Sequence, residues 1–126
     1  MKKIKYSSSK NLLKLTLDAL EDDKAIDIIS INLEGRSSIA DYMIVASGNS
    51  AKQVTSMADN LVKKYKEIGL RTPSPEGMSN GDWVLIDAKD ILIHLFRPEV
   101  RDFYSLEKMW AKNQKENVLD QVEAKK

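Results

Sequence analysis

The chain has 126 residues, of which 42% are hydrophobic and 31% charged, a length and composition that suit one hydrophobic core rather than two. The sequence contains no cysteine, which excludes disulfides, thiolate nucleophiles and cysteine-ligated metal sites and fits a reducing compartment. Its 20 Lys and Arg residues are balanced by 19 Asp and Glu residues, which disfavours a protein whose affinity comes mainly from phosphate contacts.

The start of the chain does not predict a targeting segment. Residues 1–10 open with lysines but contain no arginine, and no apolar stretch follows, which argues against a secretory signal or a mitochondrial transit peptide. No apolar run approaches the roughly 20 residues that span a membrane, so we expect a cytoplasmic protein without membrane contact. We divide the chain into a flexible N-terminus over 1–9, an α/β domain over 10–112 and a polar C-terminal tail over 113–126.

The first part of the chain predicts one helix and two strands. Leucines spaced by four and three residues, after an N-cap at Ser9, predict a helix over residues 10–22. The β-branched run at 26–33, with imperfect alternation and a stop at Gly35, predicts a strand that is covered on both faces. A second strand follows over 42–46.

The clearest helix comes next. It begins after a cap at Asn49 or Ser50 and ends with Gly69 at the C′ position. The turn at 47–50 leads from a strand into this helix, where free backbone N–H groups could bind an anion. Helix capping alone explains the residues of this turn. The opposite face carries mostly lysines, which we interpret as solvated surface, with an RNA contact as the alternative. Apolar residues recur every three or four positions along the helix: Val54, Met57, Ala58, Leu61, Tyr65 and Ile68.

Proline and glycine residues between 72 and 81 interrupt the chain before its last elements. Strands over 83–87 and 91–96 flank a hairpin turn at 88–90. A short helix at 98–104 and a final helix from Ser105 through Trp110 follow. The order helix, strand, strand, helix, strand, strand, helix predicts a single α/β domain, with a mixed sheet of about four or five strands and flanking helices in two or three layers.

Residues that carry enzyme chemistry are scarce. His94 is the only histidine, and it falls mid-strand on one face with Leu92 and Phe96. We interpret it as a partly buried histidine satisfied by a backbone or carboxylate neighbour, with a partner contact as the alternative. No phosphate-binding glycine loop or nucleophile motif is present, so we expect no enzyme activity, no cofactor and no metal. Three aspartates flank the hairpin and serve turns more often than metal binding: Asp82, Asp87 and Asp90.

Aromatic, proline and arginine residues accumulate around the last two strands instead. Trp, Tyr and Arg are enriched at the energetic centres of protein interfaces. Trp83 follows Gly81-Asp82 at a strand entrance, which is well placed for exposure, although core filling is the alternative interpretation for the larger aromatics. The accumulating residues are Trp83, Phe96, Arg97, Pro98, Arg101, Phe103, Tyr104 and Trp110.

Three stretches of sequence resemble the signatures of one family. The first runs from SSIADY at 37–42 to ASG at 46–48, and the second from EG at 76–77 to GDWVLID at 81–87. The third runs from HLFRPEVR at 94–101 to Trp110. Their order and spacing over roughly residues 12–112 resemble the Iojap-like family, the ribosomal silencing factors. Arg97 departs from relatives that often carry His or Gln there, and the tail beyond Trp110 is longer and inherits no function.

The resemblance implies a translational repressor. It implies a fold similar to nucleotidyltransferases without their catalytic motifs, and binding to the large ribosomal subunit through ribosomal protein number fourteen, with RNA contact secondary. The bound protein would sterically block joining of the small subunit during starvation or act late in large-subunit assembly, and the free form could be a homodimer. The residues expected to meet the partner are Trp83, Asp82, His94, Arg97, Glu99, Arg101 and Tyr104.

The sequence is also compatible with two other functions. One is a nucleotide-binding or nucleotidyltransferase-type enzyme, which the implied fold favours and the missing carboxylate pair disfavours. The other is a dimeric scaffold without a ribosomal role. Titration with a nucleotide and magnesium would distinguish the first, and sedimentation with large subunits would distinguish the second.

Overall fold

The computed structural model describes residues 8–104, with side chains up to residue 101. The helices and strands predicted within this range are confirmed to within about two residues, the usual uncertainty of element ends. The predicted final helix and C-terminal tail lie outside the described residues. The elements in chain order are α1 (Ser9–Asp22), β1 (Ile26–Asn32), β2 (Tyr42–Ser47), α2 (Ala51–Glu67), β3 (Trp83–Ala88), β4 (Ile91–Phe96) and α3 (Pro98–Tyr104).

The four strands form one mixed sheet in the order β1-β2-β4-β3. β2 pairs with β1 in antiparallel and with β4 in parallel orientation, while β3 and β4 form the predicted antiparallel hairpin. The sheet and its helices confirm the α/β class and the single domain. None of the helices within residues 8–104 is long and apolar enough to cross a membrane.

One face of the sheet packs against α1 and α2. The six residues of β2 are all buried, and the apolar stripe of α2 lies against the sheet as its periodicity predicts. Each large aliphatic side chain buried in this way contributes about 1.5–3 kcal/mol to folding. The largest side chains of this core are Leu12, Leu20, Ile44, Met57, Leu61, Tyr65, Ile86, Ile91, Ile93 and Leu95.

Serine caps begin both long helices. Ser50 accepts a hydrogen bond from the backbone N–H of Gln53 at 3.1 Å, and the Gln53 side chain accepts one from the backbone N–H of Asn49 at 2.7 Å. This reciprocal arrangement is close to a capping box. In α1 the predicted cap at Ser9 is wrong by one residue, because Ser8 is the extended residue whose hydroxyl accepts from the backbone of Asn11.

A buried hydrogen bond joins the two helices. The Thr16 hydroxyl donates its one proton to the backbone carbonyl of Leu12 at 2.8 Å. It must therefore accept from the Tyr65 hydroxyl, whose oxygen lies 2.6 Å away. Burial raises the pKa of Tyr65 well above its ordinary value. α1 and α2 are thus held by a directional contact inside an apolar layer.

The expectation that the first strand is covered on both faces is wrong. β1 lies at the edge of the sheet, and although Ile31 is buried, 38% of Ile29 is exposed. The imperfect alternation that suggested a fully covered strand reflects an irregularity between Ile26 and Ile29, where Asp27 adopts a φ of 51°. An irregularity of this kind also protects an edge strand against pairing with other chains.

A second, smaller cluster of apolar residues lies on the opposite face of the sheet. It includes Phe96 at the end of β4, and the partly buried side chains of Trp83, Leu92 and Val100 pack against it. This face therefore carries Trp83 and Phe96, two of the aromatic residues that the sequence singles out. Its buried members are Ile31, Leu33, Ala40, Met43, Val45 and Phe96.

Candidate functional site

Trp83 lies at the centre of an aromatic cluster where β3 begins and β4 ends. The hairpin register places Trp83 opposite Phe96, and the two rings stack with centroids 5.0 Å apart and planes 29° apart. The indole N–H donates to Nδ1 of His94 at 3.0 Å, a diagonal cross-strand contact. Trp83 is partly exposed, as its position at the strand entrance predicted, whereas Phe96 is fully buried.

His94 is buried within this cluster, with 7% of its surface exposed. In the sheet it lies between Val45 of β2 and Leu85 of β3. The prediction of a satisfied, buried histidine is confirmed, but its bonding partner is the indole of Trp83 rather than a backbone or carboxylate group. Burial lowers the pKa of His94 from 6.5 to about 4, so the imidazole is neutral near pH 7. Because the indole N–H donates to Nδ1, the one proton of the neutral ring is assigned to Nε2.

Two ion pairs lie beside the aromatic cluster. Nε of Arg97 donates to a carboxylate oxygen of Asp82 at 2.8 Å, and Nη1 donates to Glu99 at 2.7 Å. A backbone hydrogen bond from Arg97 to Asp82 at 3.1 Å adds to the first pair. The side chains of Asp82 and Glu99 are 45% and 66% exposed, so each pair contributes little to stability. They instead present a fixed pattern of charge next to Trp83.

Arg101 and Tyr104 stand apart from the other predicted contact residues. Arg101 is 5% exposed, and its guanidinium donates to the Ser47 hydroxyl at 2.9 Å, which ties α3 to the end of β2. Such a residue leaves little surface for a partner and acts mainly by holding α3 in place. The backbone of Tyr104 ends α3, but its side chain lies outside the description.

Two glycines of the second signature shape the entrance to β3. Gly77 has a φ of 91°, and a Cβ atom there would lie 2.1 Å from the carbonyl oxygen of Trp83. Gly81 has a φ of 72° and would place a Cβ 2.8 Å from both the Cβ and the carbonyl oxygen of Ala51. Only glycine satisfies both the positive φ and the close approach. The signature glycines therefore determine where the backbone of Trp83 lies.

We refer to Trp83, Leu85, His94 and Phe96, together with the ion pairs of Arg97, as the Trp83 surface. Leu85 was not singled out from the sequence, although alternation along β3 places it on the face of Trp83. It is partly exposed, and its backbone exchanges two hydrogen bonds with Glu76, at 2.9 and 3.0 Å. The bridge to Glu76 covers the outer edge of β3 at this point.

Carboxylates dominate the charge around the Trp83 surface. Asp87 follows Leu85 on the same face and is exposed, as is Glu76 at the sheet edge. Asp82 and Glu99 share the single guanidinium of Arg97. Within residues 8–104, no group of three or more histidine, aspartate or glutamate residues is arranged to hold a metal ion. The partly exposed side chains of Trp83 and Leu85 therefore lie within an acidic border.

A groove of about 470 Å³ lies elsewhere, between α1 and α2. Its lining includes charges of both signs, such as Lys14 and Asp18, which pair with each other at 3.0 Å, and Lys64. Since α1 and α2 cover the opposite face of the sheet, this groove does not adjoin Trp83. None of the predicted contact residues up to Arg101 lines it.

Comparison with known proteins places these features in one family. The family model described as ribosomal silencing factor during starvation matches residues 6–126. A ribosomal silencing factor from Zymomonas mobilis is 57% identical over 99 residues, which cover 79% of this chain and 74% of that protein. A crystal structure of a Chromobacterium violaceum protein has a TM-score of 0.78 and 40% identity, and the match covers 81% of this chain and 85% of that one.

A mouse protein extends the likeness. Mouse mitochondrial assembly of ribosomal large subunit protein 1 is 31% identical over 115 residues, which cover 89% of this chain and 50% of the mouse protein. The fold and the Trp83 surface define a small α/β protein with an aromatic cluster at one end of its sheet. The chain belongs to the ribosomal silencing factor family. The likeness to nucleotidyltransferases stays a prediction.

Proposed function

We propose that this protein represses translation by binding the large ribosomal subunit, through ribosomal protein number fourteen, and blocking the small subunit from joining. Family membership supports the ribosomal target. The observation that carries the proposed contact is the partial exposure of Trp83, an aromatic side chain that a hydrogen bond and a ring stack hold in place. Fixed aromatic side chains of this kind supply much of the binding energy of protein interfaces.

The charge of the Trp83 surface favours a protein partner over RNA. Phosphates approach a surface through lysine and arginine, whereas Asp82, Asp87 and Glu99 border this one. A partner side chain with a positive charge could interact with these carboxylates and lie against the indole. The site therefore supports a mainly protein contact, with any RNA contact secondary.

The proposed mechanism requires only that the bound protein occupies the surface where the small subunit joins. A protein of 14.3 kDa that occupies a surface needed for subunit joining blocks that joining without catalysis, cofactor or metal. The same occupancy could act late in large-subunit assembly, a role that the name of the mouse relative supports. Repression under starvation follows from the family name.

Sedimentation tests this function directly. The purified protein should cosediment with isolated large subunits but not with small subunits, and it should lower the yield of joined ribosomes. Trp83→Ala should weaken binding about 30- to 1000-fold, as expected for a buried interfacial tryptophan. Equal binding to both subunits, or normal joining at saturating protein, would contradict the proposal.

A matched control separates the contact from a general loss of apolar surface. Ile39 is 71% exposed and lies before β2, at the end of the sheet away from Trp83. Ile39→Ala should therefore bind large subunits like the unmodified protein. Because Trp83 also packs on Phe96, Trp83→Ala lowers stability as well, and its binding is measured well below its thermal midpoint.

A further inference from the structure

We infer that His94 is a positioning residue, which fixes the indole of Trp83 in the orientation that meets the partner. The inference rests on the proposed function for the identity of that partner. His94 was expected among the contact residues, but with 7% of its surface exposed it has little area to offer. Its contribution to binding is therefore made through Trp83.

Contacts of two kinds hold the indole. The stack on Phe96, with centroids 5.0 Å apart, resists removal of the ring but is tolerant of sliding and rotation in its plane. The hydrogen bond to His94 is directional, because an indole N–H has one donor direction and only an acceptor can satisfy it. Together they define both the plane of the ring and its rotation within that plane.

The neighbours of His94 keep its Nδ1 available as a hydrogen-bond acceptor. The imidazole is flanked by Val45 and Leu85 across the sheet, and by Leu92 and Phe96 along its own strand face. These apolar neighbours keep the ring neutral, so Nδ1 remains an acceptor. The imidazole ring is tilted by 40° to the indole, with centroids 5.9 Å apart, which directs Nδ1 at the N–H rather than at the ring face.

A fixed indole favours binding, because a mobile indole would lose conformational entropy when the partner binds. A side chain that is immobilised only in the complex lowers the affinity by an amount that corresponds to about two- to tenfold. His94 removes this cost before the partner arrives. A histidine that merely filled space would have no such effect, and any apolar residue of similar volume would replace it.

Four variants of the full chain test the inference. His94→Leu removes the acceptor and keeps an apolar side chain, while His94→Asn keeps an acceptor oxygen at the position of Nδ1. Trp83→Phe removes the donor, and the fourth variant combines Trp83→Phe with His94→Leu. The thermal midpoint of each shows that it is folded.

The first readout needs no ribosome. The proton NMR spectrum of the free protein contains two indole N–H signals, since the chain has two tryptophans, and Trp83→Phe identifies the one that belongs to Trp83. We expect this N–H to exchange with water faster in His94→Leu and to stay protected in His94→Asn. Unchanged exchange in folded His94→Leu would overturn the inference.

The second readout is affinity for large subunits. His94→Leu should bind about two- to tenfold more weakly, and His94→Asn should recover most of this loss. In the Trp83→Phe background, His94→Leu should cause no further loss. An equal loss in both backgrounds, or none in either, would overturn the positioning role. If the unmodified protein fails to bind large subunits at all, the proposed partner is wrong, while the exchange measurement still decides whether His94 holds the indole.

Discussion

The indole N–H of Trp83 donates to Nδ1 of His94 at 3.0 Å, so the imidazole must be unprotonated at that nitrogen for the contact to exist. Protonation of Nδ1 would place its N–H against the indole N–H, two donors facing each other inside an apolar cluster. The pKa of His94 in the folded protein is about 4, below its ordinary value of 6.5, because burial disfavours the charged ring. The unfolded chain therefore binds a proton more readily than the folded chain does.

This difference predicts a loss of stability in mild acid. The contribution of neutral His94 is fully present above pH 6.5 and is lost as the pH falls from there towards 4. Between about pH 7 and about pH 5, the free energy of unfolding should decrease by about 2 kcal/mol through this group. Urea unfolding at these two pH values measures the decrease. His94→Asn, which does not titrate, should show a smaller dependence on pH, and an equal dependence would contradict the prediction.

The second prediction concerns Gly77. Gly77→Ala should lower the free energy of unfolding by roughly 2–4 kcal/mol, since the added Cβ meets the Trp83 carbonyl oxygen at a positive φ. Gly35→Ala is the matched control, because Gly35 has a φ of 78° and nothing within 4 Å of the added atom. It should cost only the conformational penalty of about 1–2 kcal/mol. Equal losses of unfolding free energy in the two variants would show that the structure accommodates the Cβ at position 77 with little energetic cost.

The third prediction concerns the bond between Thr16 and Tyr65. Thr16→Val leaves the buried Tyr65 hydroxyl without this acceptor and should cost about 1–3 kcal/mol, while Tyr65→Phe should cost about 1 kcal/mol. The double variant should lose less than the sum, because neither partner is then left alone. Urea unfolding of the four proteins gives the interaction energy. Strictly additive losses would show that the hydroxyls do not interact.

The fourth prediction concerns salt. The net charge is +1 and the Trp83 surface has an acidic border, so binding to large subunits should weaken only modestly as salt rises. A contact with about six or more phosphates would lose at least about three orders of magnitude between roughly 50 and 200 mM salt. Lys63→Gln with Lys66→Gln, on the exposed face of α2, should bind normally. A steep dependence on salt, reduced in this variant, would identify RNA as the main partner.

The helices and strands could be predicted from the sequence because short segments encode their periodicity and their ends. The apolar stripe of α2 predicts burial against a sheet, and Ser50 and Gly69 mark where the helix begins and ends. The hairpin of β3 and β4 follows from the short turn between them. The parallel pairing of β2 with β4 was not predicted, because Tyr42 and Ile91 are brought together by tertiary packing that no short segment encodes.

The candidate site was predicted in part. Asp82, Trp83 and Arg97 were identified together, and the structure brings them to one end of the sheet. The bond between Trp83 and His94 could not be predicted, because a diagonal contact depends on the register of the hairpin and on side-chain rotamers. The burial of Arg101 also escaped prediction, since Ser47 lies 54 residues away and carries no pattern that points to a guanidinium.

The central place of β4 has a consequence for synthesis of the chain. Within residues 8–104, β4 pairs with both β2 and β3 and is the last strand to be made. A nascent chain that ends before Ile91 has two strands with unsatisfied edges and no means of closing the sheet. Productive folding therefore waits for nearly the whole domain to be synthesised, and chains terminated early expose hydrogen-bonding edges that promote aggregation.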